Sequence, residues 1–400
     1  MNFSWERNLA ILWIGVFFCS MAYSISIPFL PIFLNTELGV EHHLEAWSGV
    51  AFGITFLASA LISPYWGSLS DKYGRKPMLI RSGYSLAALY LINYFVHDPY
   101  TFLVIRIFQG LLAGFVPSSI ALVATNTPEE KTGYALGIMS TSGATGSIIG
   151  PLVGGVVSHY FGNREAFLFS SAIVLISALI ATFLVKEQNF NRKAARSHVR
   201  DDLKHALSNR MFTMLLTMVA VSTFSVMILE PLITVYVLRM GVEKSSASLS
   251  SGIIFSAVGI ATVIMAPRWG KWGRKFGYKQ MLLIGLVGSG IGNLLQVLVS
   301  NYIGFGILRF SYGLFFAAVS PSINAMIVQI TEADFRGRAF SLNQSAAQIA
   351  TMAGPIIGGL LGGWMPIRWI FVINGSLLLV SALLFKLRTQ NMPEAAAKSG

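Results

Sequence analysis

Eight stretches of this chain, each 17 residues or longer, contain no Asp, Glu, Lys or Arg: 9–34, 46–70, 132–158, 166–185, 245–267, 280–300, 339–367 and 369–385. A helix needs about 20 mainly apolar residues to cross a bilayer, and buried helices of water-soluble proteins rarely run that far without a charge. Composition agrees: 54% of residues are apolar and 12% charged, against about 25% charged in an ordinary soluble domain. A disordered chain is excluded, because such chains are polar and charged. The 38 glycines have no three-residue period and Cys19 is the single cysteine, which excludes a collagen-like chain and an internal disulfide. The first run is longer than the 7–15 residues of a signal-peptide core and is expected to remain as a span. The fold class is an all-α membrane protein.

Twelve spans are expected, at about 9–34, 47–69, 78–96, 100–124, 134–158, 165–185, 211–238, 247–269, 278–299, 302–330, 339–363 and 366–386. With the N-terminus inside, 23 of the 29 Lys and Arg fall on inside segments. Arg164, Arg239, Lys244 and Arg368 fall outside, and Arg106 and Arg309 lie within spans. The positive-inside rule therefore puts both termini in the cytoplasm. The net charge of +12 faces anionic membrane lipids, and a nucleic-acid partner is not expected. Residues 1–190 are read as one six-helix bundle, 191–210 as a cytoplasmic linker, 211–390 as a second bundle and 391–400 as a disordered tail.

The halves repeat. Ser63-Pro-Tyr-Trp-Gly67 returns as Ala266-Pro-Arg-Trp-Gly270, and Arg106 and Gly110 return as Arg309 and Gly313, all at a shift of 203. Pro117 returns as Pro321, and Gly150-Pro-Leu-Val-Gly-Gly155 as Gly354-Pro-Ile-Ile-Gly-Gly359, at a shift of 204. Parallel repeats of this kind imply two pseudo-symmetric six-helix bundles with a solute site near mid-membrane, a geometry suited to alternating access.

Gly67-Ser-Leu-Ser-Asp71-Lys-Tyr-Gly74-Arg75-Lys76 resembles the signature loop of the major facilitator superfamily. Arg106-Ile-Phe-Gln109-Gly110 is similar to that superfamily's second motif, and Gly146-Ser-Ile-Ile-Gly150-Pro151-Leu-Val-Gly154-Gly155 to the motif of its antiporters. Trp47-Ser-Gly, Ile54-Thr-Phe-Leu and the continuation from Arg75 to Arg81 resemble its multidrug resistance group. The resemblance implies drug–proton antiport, with Asp71 latching the cytoplasmic gate against span 11. Asp71 can also pair with Arg75 or Lys76, or face the positive end of a helix that starts inside. In the second copy Arg274 stands in its place. Gly67 and Gly74 are expected to allow close packing and a tight turn. The span-5 glycines let backbones approach, and Pro151 removes a helix hydrogen bond. Tight packing and a hinge or seal are both open readings for that motif.

Three ionisable groups lie well inside spans: Arg106, Arg309 and Glu230. Each costs at least ~2.5–3.5 kcal/mol at span centre, so each is a functional candidate. Burial favours the protonated form of a carboxyl and a nearby arginine the ionised form, so a site alternating between the two can load and release a proton. Glu230 is the candidate proton carrier, with Arg106 tuning it; a static Glu–Arg pair or an acid that contacts cationic cargo is the competing reading. Arg309 is expected near the outer end of span 10, where its stem can snorkel. Pro231 is expected to kink span 7 and expose the carboxyl group; its repeat counterpart is Pro28 in span 1.

Tyr23, Phe29, Phe108, Phe115, Phe224, Tyr236, Phe315 and Phe316 on spans 1, 4, 7 and 10, with Asn343, Gln344 and Gln348 on span 11, are the candidate lining of a cavity for lipophilic solutes. No phosphate-binding loop, metal-ligand spacing or nucleophile–base motif is present, so neither an enzyme nor a cofactor or metal site is expected. The reading is a monomeric exporter in a bacterial inner membrane that exchanges protons for small lipophilic compounds. A transporter of a defined metabolite such as a sugar, and a membrane sensor that does not translocate, remain as alternatives.

Overall fold

A computed structural model describes residues 4–188, 209–332 and 335–389, without the side chains of Asp71, Glu129, Arg336 and Gly337. The expected linker at 191–210 lies almost wholly outside the described residues, and the tail at 391–400 entirely so. The described residues are mainly helical, with no strand among them. They form α1 (Trp5–Ile25), α2 (Leu30–Thr36), α3 (Leu44–Tyr73), α4 (Arg75–Tyr94), α5 (Pro99–Leu112), α6 (Phe115–Asn126), α7 (Glu129–Phe161) and α8 (Asn163–Leu184). The order continues with α9 (Arg210–Met227), α10 (Ile233–Arg239), α11 (Lys244–Phe276), α12 (Tyr278–Leu295), α13 (Tyr302–Phe316), α14 (Val319–Ile330), α15 (Arg336–Trp364) and α16 (Ile367–Thr389).

Eleven segments among the described residues are long and apolar enough to cross a membrane. The expected span at 78–96 is α4, which is 20 residues long but begins with Arg75 and Lys76 and carries Arg81, so it falls short in apolarity rather than length.

The expected spans 1, 4, 7 and 10 are each two helices with a break: α1/α2, α5/α6, α9/α10 and α13/α14. A proline cannot donate to the carbonyl four residues back, and its ring crowds that carbonyl. Four residues before Pro117 is Ala113, where α5 has ended; four before Pro231 is Met227, the last residue of α9; four before Pro321 is Ala317, in the break between α13 and α14. In span 1 the same rule takes Pro28 to Ser24 and Pro31 to Ile27, on either side of the end of α1. Gly114, at φ +148°, turns the chain within the α5/α6 break, a backbone conformation glycine adopts at no steric cost. Pro64, Pro151, Pro267 and Pro355 instead sit inside helices that continue past them.

The described chain forms two compact units, the first being the residues up to 188 with Pro231–Ser256, the second 209–230 with 257–389. In the first, Phe29, Phe33, Phe102 and Phe167 form an interlocked aromatic core, with neighbouring centroids 5.0–6.1 Å apart. In the second, Phe212, Leu282, Leu286, Tyr312, Ile323 and Phe385 are among the residues of a continuous buried cluster. Several contacts recur 203 residues apart, each within its own unit. Trp66 Nε1 donates to the Leu111 carbonyl at 2.7 Å, and Trp269 Nε1 to that of Leu314 at 2.8 Å. Gly110 lies against the Thr55 carbonyl and Ala58, and Gly313 against the Val258 carbonyl and Ala261. The Asp98 carboxylate caps α5 through the Thr101 amide at 2.8 Å, and Asn301 caps α13 through the Gly304 amide at 2.7 Å. Hydrogen bonds from Thr101 hold the Asp98 carboxyl below its usual range.

Candidate functional site

The break between α9 and α10 leaves Glu230 outside regular helix, next to Pro231. Its amide donates to the Met227 carbonyl at 3.3 Å, as in a tightened last turn. The residue is 9% exposed, and no hydrogen bond or ion pair to its carboxylate is found among the described residues. Four residues on, the Thr234 hydroxyl donates to the Pro28 carbonyl at 2.9 Å, both within the first unit.

Arg106 on α5 is 1% exposed. Its Nη1 donates to Gln109 Oε1 at 3.3 Å and its guanidinium lies 4.9 Å from the Phe102 ring centroid. Nε and Nη2 are buried without a partner, as is Gln109 Nε2. No carboxylate pairs with Arg106 among the described residues, so this buried cation is only partly satisfied. Arg309 does not snorkel: it is 4% exposed and packs over the Tyr312 ring at 5.0 Å.

The span-5 glycines all make backbone contact. On α7, a Cβ at Gly146 would stand 2.5 Å from the Phe17 carbonyl oxygen, at Gly150 2.5 Å from Ser24 Cβ, and at Gly154 2.0 Å from the Ile25 carbonyl oxygen. These three face α1. Gly155 and Pro151 face α11: a Cβ at Gly155 would be 2.7 Å from the Ser248 carbonyl oxygen, and one at Gly252 2.4 Å from that of Pro151. One helix thus carries two small-residue faces for two neighbours, the close packing that small residues permit in membranes. In the second unit a Cβ at Gly358 would stand 2.0 Å from the Ile228 carbonyl oxygen.

In the loop motif, Gly74 takes φ +102° between α3 and α4, and supplies the expected tight turn. A Cβ at Gly67 would meet nothing within 4 Å, so no close packing depends on it here. Asp71 lies in the last turn of α3, but its side chain falls outside the described residues. Sequence reasoning missed the motif's partner, Glu187, whose carboxylate accepts from the amides of Arg75 at 2.8 Å and Lys76 at 3.0 Å. It caps α4 as an acid does at the positive end of a helix, and Lys76 Nζ reaches the Thr182 carbonyl at 3.0 Å. Also missed was Arg81, whose guanidinium stacks 3.4 Å from the Trp66 ring centroid and donates to Ala113 at the α5/α6 break.

A further set escaped the sequence reading because it joins residues about 90–210 apart. Arg239 pairs with Glu45, which is buried at the start of α3. Lys244 Nζ donates to Asn35 Oδ1 at 2.7 Å, and His159 Nδ1 lies 2.5 Å from the Ser245 carbonyl. With Thr234–Pro28, these contacts join 231–256 to the rest of the first unit.

The aromatic set is dispersed. Phe29 and Phe115 fill the core, Phe115 against Gly15 and Gly83. Phe108 is exposed, Phe315 packs on Gly288, and Phe316 stacks on Tyr312 at 5.3 Å. Tyr23 meets Phe56 edge-on at 5.4 Å, Tyr236 is buried, and Phe224 is half-buried. Asn343 Nδ2 donates to Asn324 Oδ1 at 3.4 Å. Among the described residues no group of three His, Cys, Asp or Glu could hold a metal ion.

Long apolar helices broken at prolines, a buried acid at one break and small-residue helix faces define a multi-pass membrane carrier. The family model of the Major Facilitator Superfamily matches residues 12–258 and 245–400, and the chain belongs to that superfamily. It is 34% identical over 384 residues to the multidrug resistance protein MdtG of Salmonella typhimurium and of Salmonella arizonae, covering 95% of each chain. Its fold matches a bacterial homologue of the human lysosomal transporter Spinster in an inward-facing conformation, with TM-score 0.78 and 14% identity over 96% of this chain and 97% of that one. The nucleoside transporter NupG matches with TM-score 0.75 and 13% identity over 95% and 99%.

Proposed function

We propose that this chain is a proton-coupled secondary exporter of small lipophilic compounds that works by alternating access. The observation that carries this reading is the 34% identity, spread over 95% of the chain, to multidrug resistance proteins. The contacts repeated at a shift of 203 support two pseudo-symmetric six-helix bundles, with α4 as the twelfth span. The distribution of Lys and Arg supports a bacterial inner membrane location with both termini cytoplasmic. No further subunit is needed, and the unit of transport is the monomer.

Glu230 is the proton carrier in this reading. A carboxyl favours its protonated form when its surroundings turn apolar, and contact with water or a cation favours release. Because Glu230 sits in a helix break, modest backbone rotation there would change what the carboxyl faces. An inward proton is worth about 2.3 kcal/mol per 100 mV, and every 1.4 kcal/mol is tenfold in concentration, so one proton drives export against more than a tenfold gradient. Arg106, a buried cation without an acidic partner, is the group that senses this charge.

Gating is assigned to two regions. On the cytoplasmic side are Gly67, Asp71, Gly74, Arg75 and Lys76, with Glu187 as their anchor. On the other side, Glu45–Arg239, Lys244–Asn35 and His159–Ser245 sit at the outward ends of their helices in the proposed topology, and form a clamp that must release for outward opening. The faces of α7 built by Gly146, Gly150, Pro151, Gly154 and Gly155 keep that helix rigid between α1 and α11.

Purified protein in liposomes tests the reading. Several chemically unlike lipophilic compounds should all be transported, faster with an imposed pH gradient. Transport of one metabolite alone would favour the defined-substrate alternative, and binding without flux would favour a sensor.

A further inference from the structure

The second unit has a groove of about 660 Å³ between α12, α13 and α16, walled mainly by apolar side chains. That volume is in the range of ligand pockets, about 300–1,000 Å³. Its wall on α12 runs from Leu283 to Leu295, which is roughly 18 Å at 1.5 Å per residue. A leaflet's hydrocarbon is roughly 15 Å deep, half of the bilayer core. Gly288 and Gly292, one turn apart on α12, help form the floor: α13 comes close there through Phe315 and Tyr312. Ile284, Ile291 and Leu383 on its rim are 43–55% exposed, so the groove opens to the surroundings of the bundle.

One lining residue is charged. Lys386 stands at the end of the groove near the C-terminus of α16. It is exposed and its ammonium has no partner among the described residues. α12, α13, α15 and α16 contain no Asp or Glu at all, so these helices offer it no acid. Lys279 and Arg388 flank the same end, with Lys279 held by the Thr389 carbonyl. The residues after 389 are mainly polar or small (Gln-Asn-Met-Pro-Glu-Ala-Ala-Ala-Lys-Ser-Gly).

We infer that this groove binds one anionic glycerophospholipid of the surrounding bilayer, with an acyl chain along α12 and the phosphate on Lys386. In the topology proposed above this is the cytoplasmic leaflet, where anionic lipid draws in basic residues. The binding itself does not depend on what the protein transports.

Native mass spectrometry of the detergent-purified full chain, with added palmitoyl-oleoyl phosphatidylglycerol or phosphatidylcholine, tests it. Wild type should retain phosphatidylglycerol in preference. Lys386→Ala should cut that preference about fivefold, the equivalent of about 1 kcal/mol for one basic residue near a lipid surface. Ser311→Phe, which fills the groove, should lower retention of both lipids. A diazirine on the acyl chain should label peptides of α12 and α16 in the wild-type protein, a readout independent of either variant's folding. Equal retention of the two lipids, label confined to other helices, a second copy of the chain in place of lipid, or a lipophilic dye that occupies the groove regardless of Lys386 would each overturn the proposal.

Discussion

Replacing Gly154 by alanine puts a methyl group 2.0 Å from the Ile25 carbonyl oxygen, 2.8 Å from the Ile25 carbonyl carbon and 2.9 Å from its Cα. Real Cβ atoms essentially never come within 3.0 Å of another heavy atom, so α7 or α1 must move by about 1 Å. All three obstacles are backbone, so no side chain can rotate away. Overpacking costs about 1–3 kcal/mol when neighbours can adjust, and the upper end applies here. That corresponds to a loss of roughly a hundredfold in the folding equilibrium. Gly67→Ala is the matched control: the same atom added to an interior helical glycine that meets nothing within 4 Å. Helix propensity alone makes it neutral or up to about 1 kcal/mol more stable. Thermal unfolding in detergent, followed by tryptophan fluorescence, should rank Gly67→Ala at or above wild type and Gly154→Ala well below. Equal stability of the two variants would refute the backbone-contact reading of α7.

Three other outcomes follow from the proposed gate and the α4 cap. Glu45→Gln should loosen the clamp with Arg239. Because Arg239 is half exposed, the pair is worth about 0.2–1 kcal/mol, so spin-label distances across the outer helix ends should shift toward the open population by up to about fivefold; an unchanged distribution would remove the pair from gating. Asp71→Asn should impair transport with membrane insertion intact, and wild-type flux from normally expressed protein would count against the latch. Glu187→Ala should cost about 1 kcal/mol, as the loss of a helix cap does, measurable as faster amide hydrogen exchange over residues 75–80; unaltered exchange there would show that the cap is dispensable.

The helical membrane architecture was legible because a charge-free run has few alternatives in water or lipid. The repeat was legible because Trp66, Arg106, Gly110 and the span-5 glycines keep their spacing. The helix breaks were only half legible. Pro117, Pro231 and Pro321 mark breaks four residues upstream, yet Pro151 and Pro355 remain inside unbroken helices, so the sequence could not say which prolines interrupt. Glu230 could be picked out as the deep acid, but not its place outside regular helix. The Glu45–Arg239 clamp and the Glu187 cap were invisible because both join residues more than 100 positions apart that carry no motif. Gly67 matched a motif without needing the packing expected of it, whereas Gly154 and Gly155 need theirs at the backbone. The aromatic residues were the least legible, since their apolar surface serves a core, a helix contact or a lipid-facing groove equally well.

In the proposed mechanism the acid in the α9/α10 break trades protons for cargo. The direct measurement is proton movement in proteoliposomes carrying a pH-sensitive dye, recorded with cargo flux for wild type and Glu230→Gln. Wild type should couple the two, and the variant should move no protons while still exchanging labelled cargo down its own gradient. Proton flux that persists undiminished in Glu230→Gln would contradict the account.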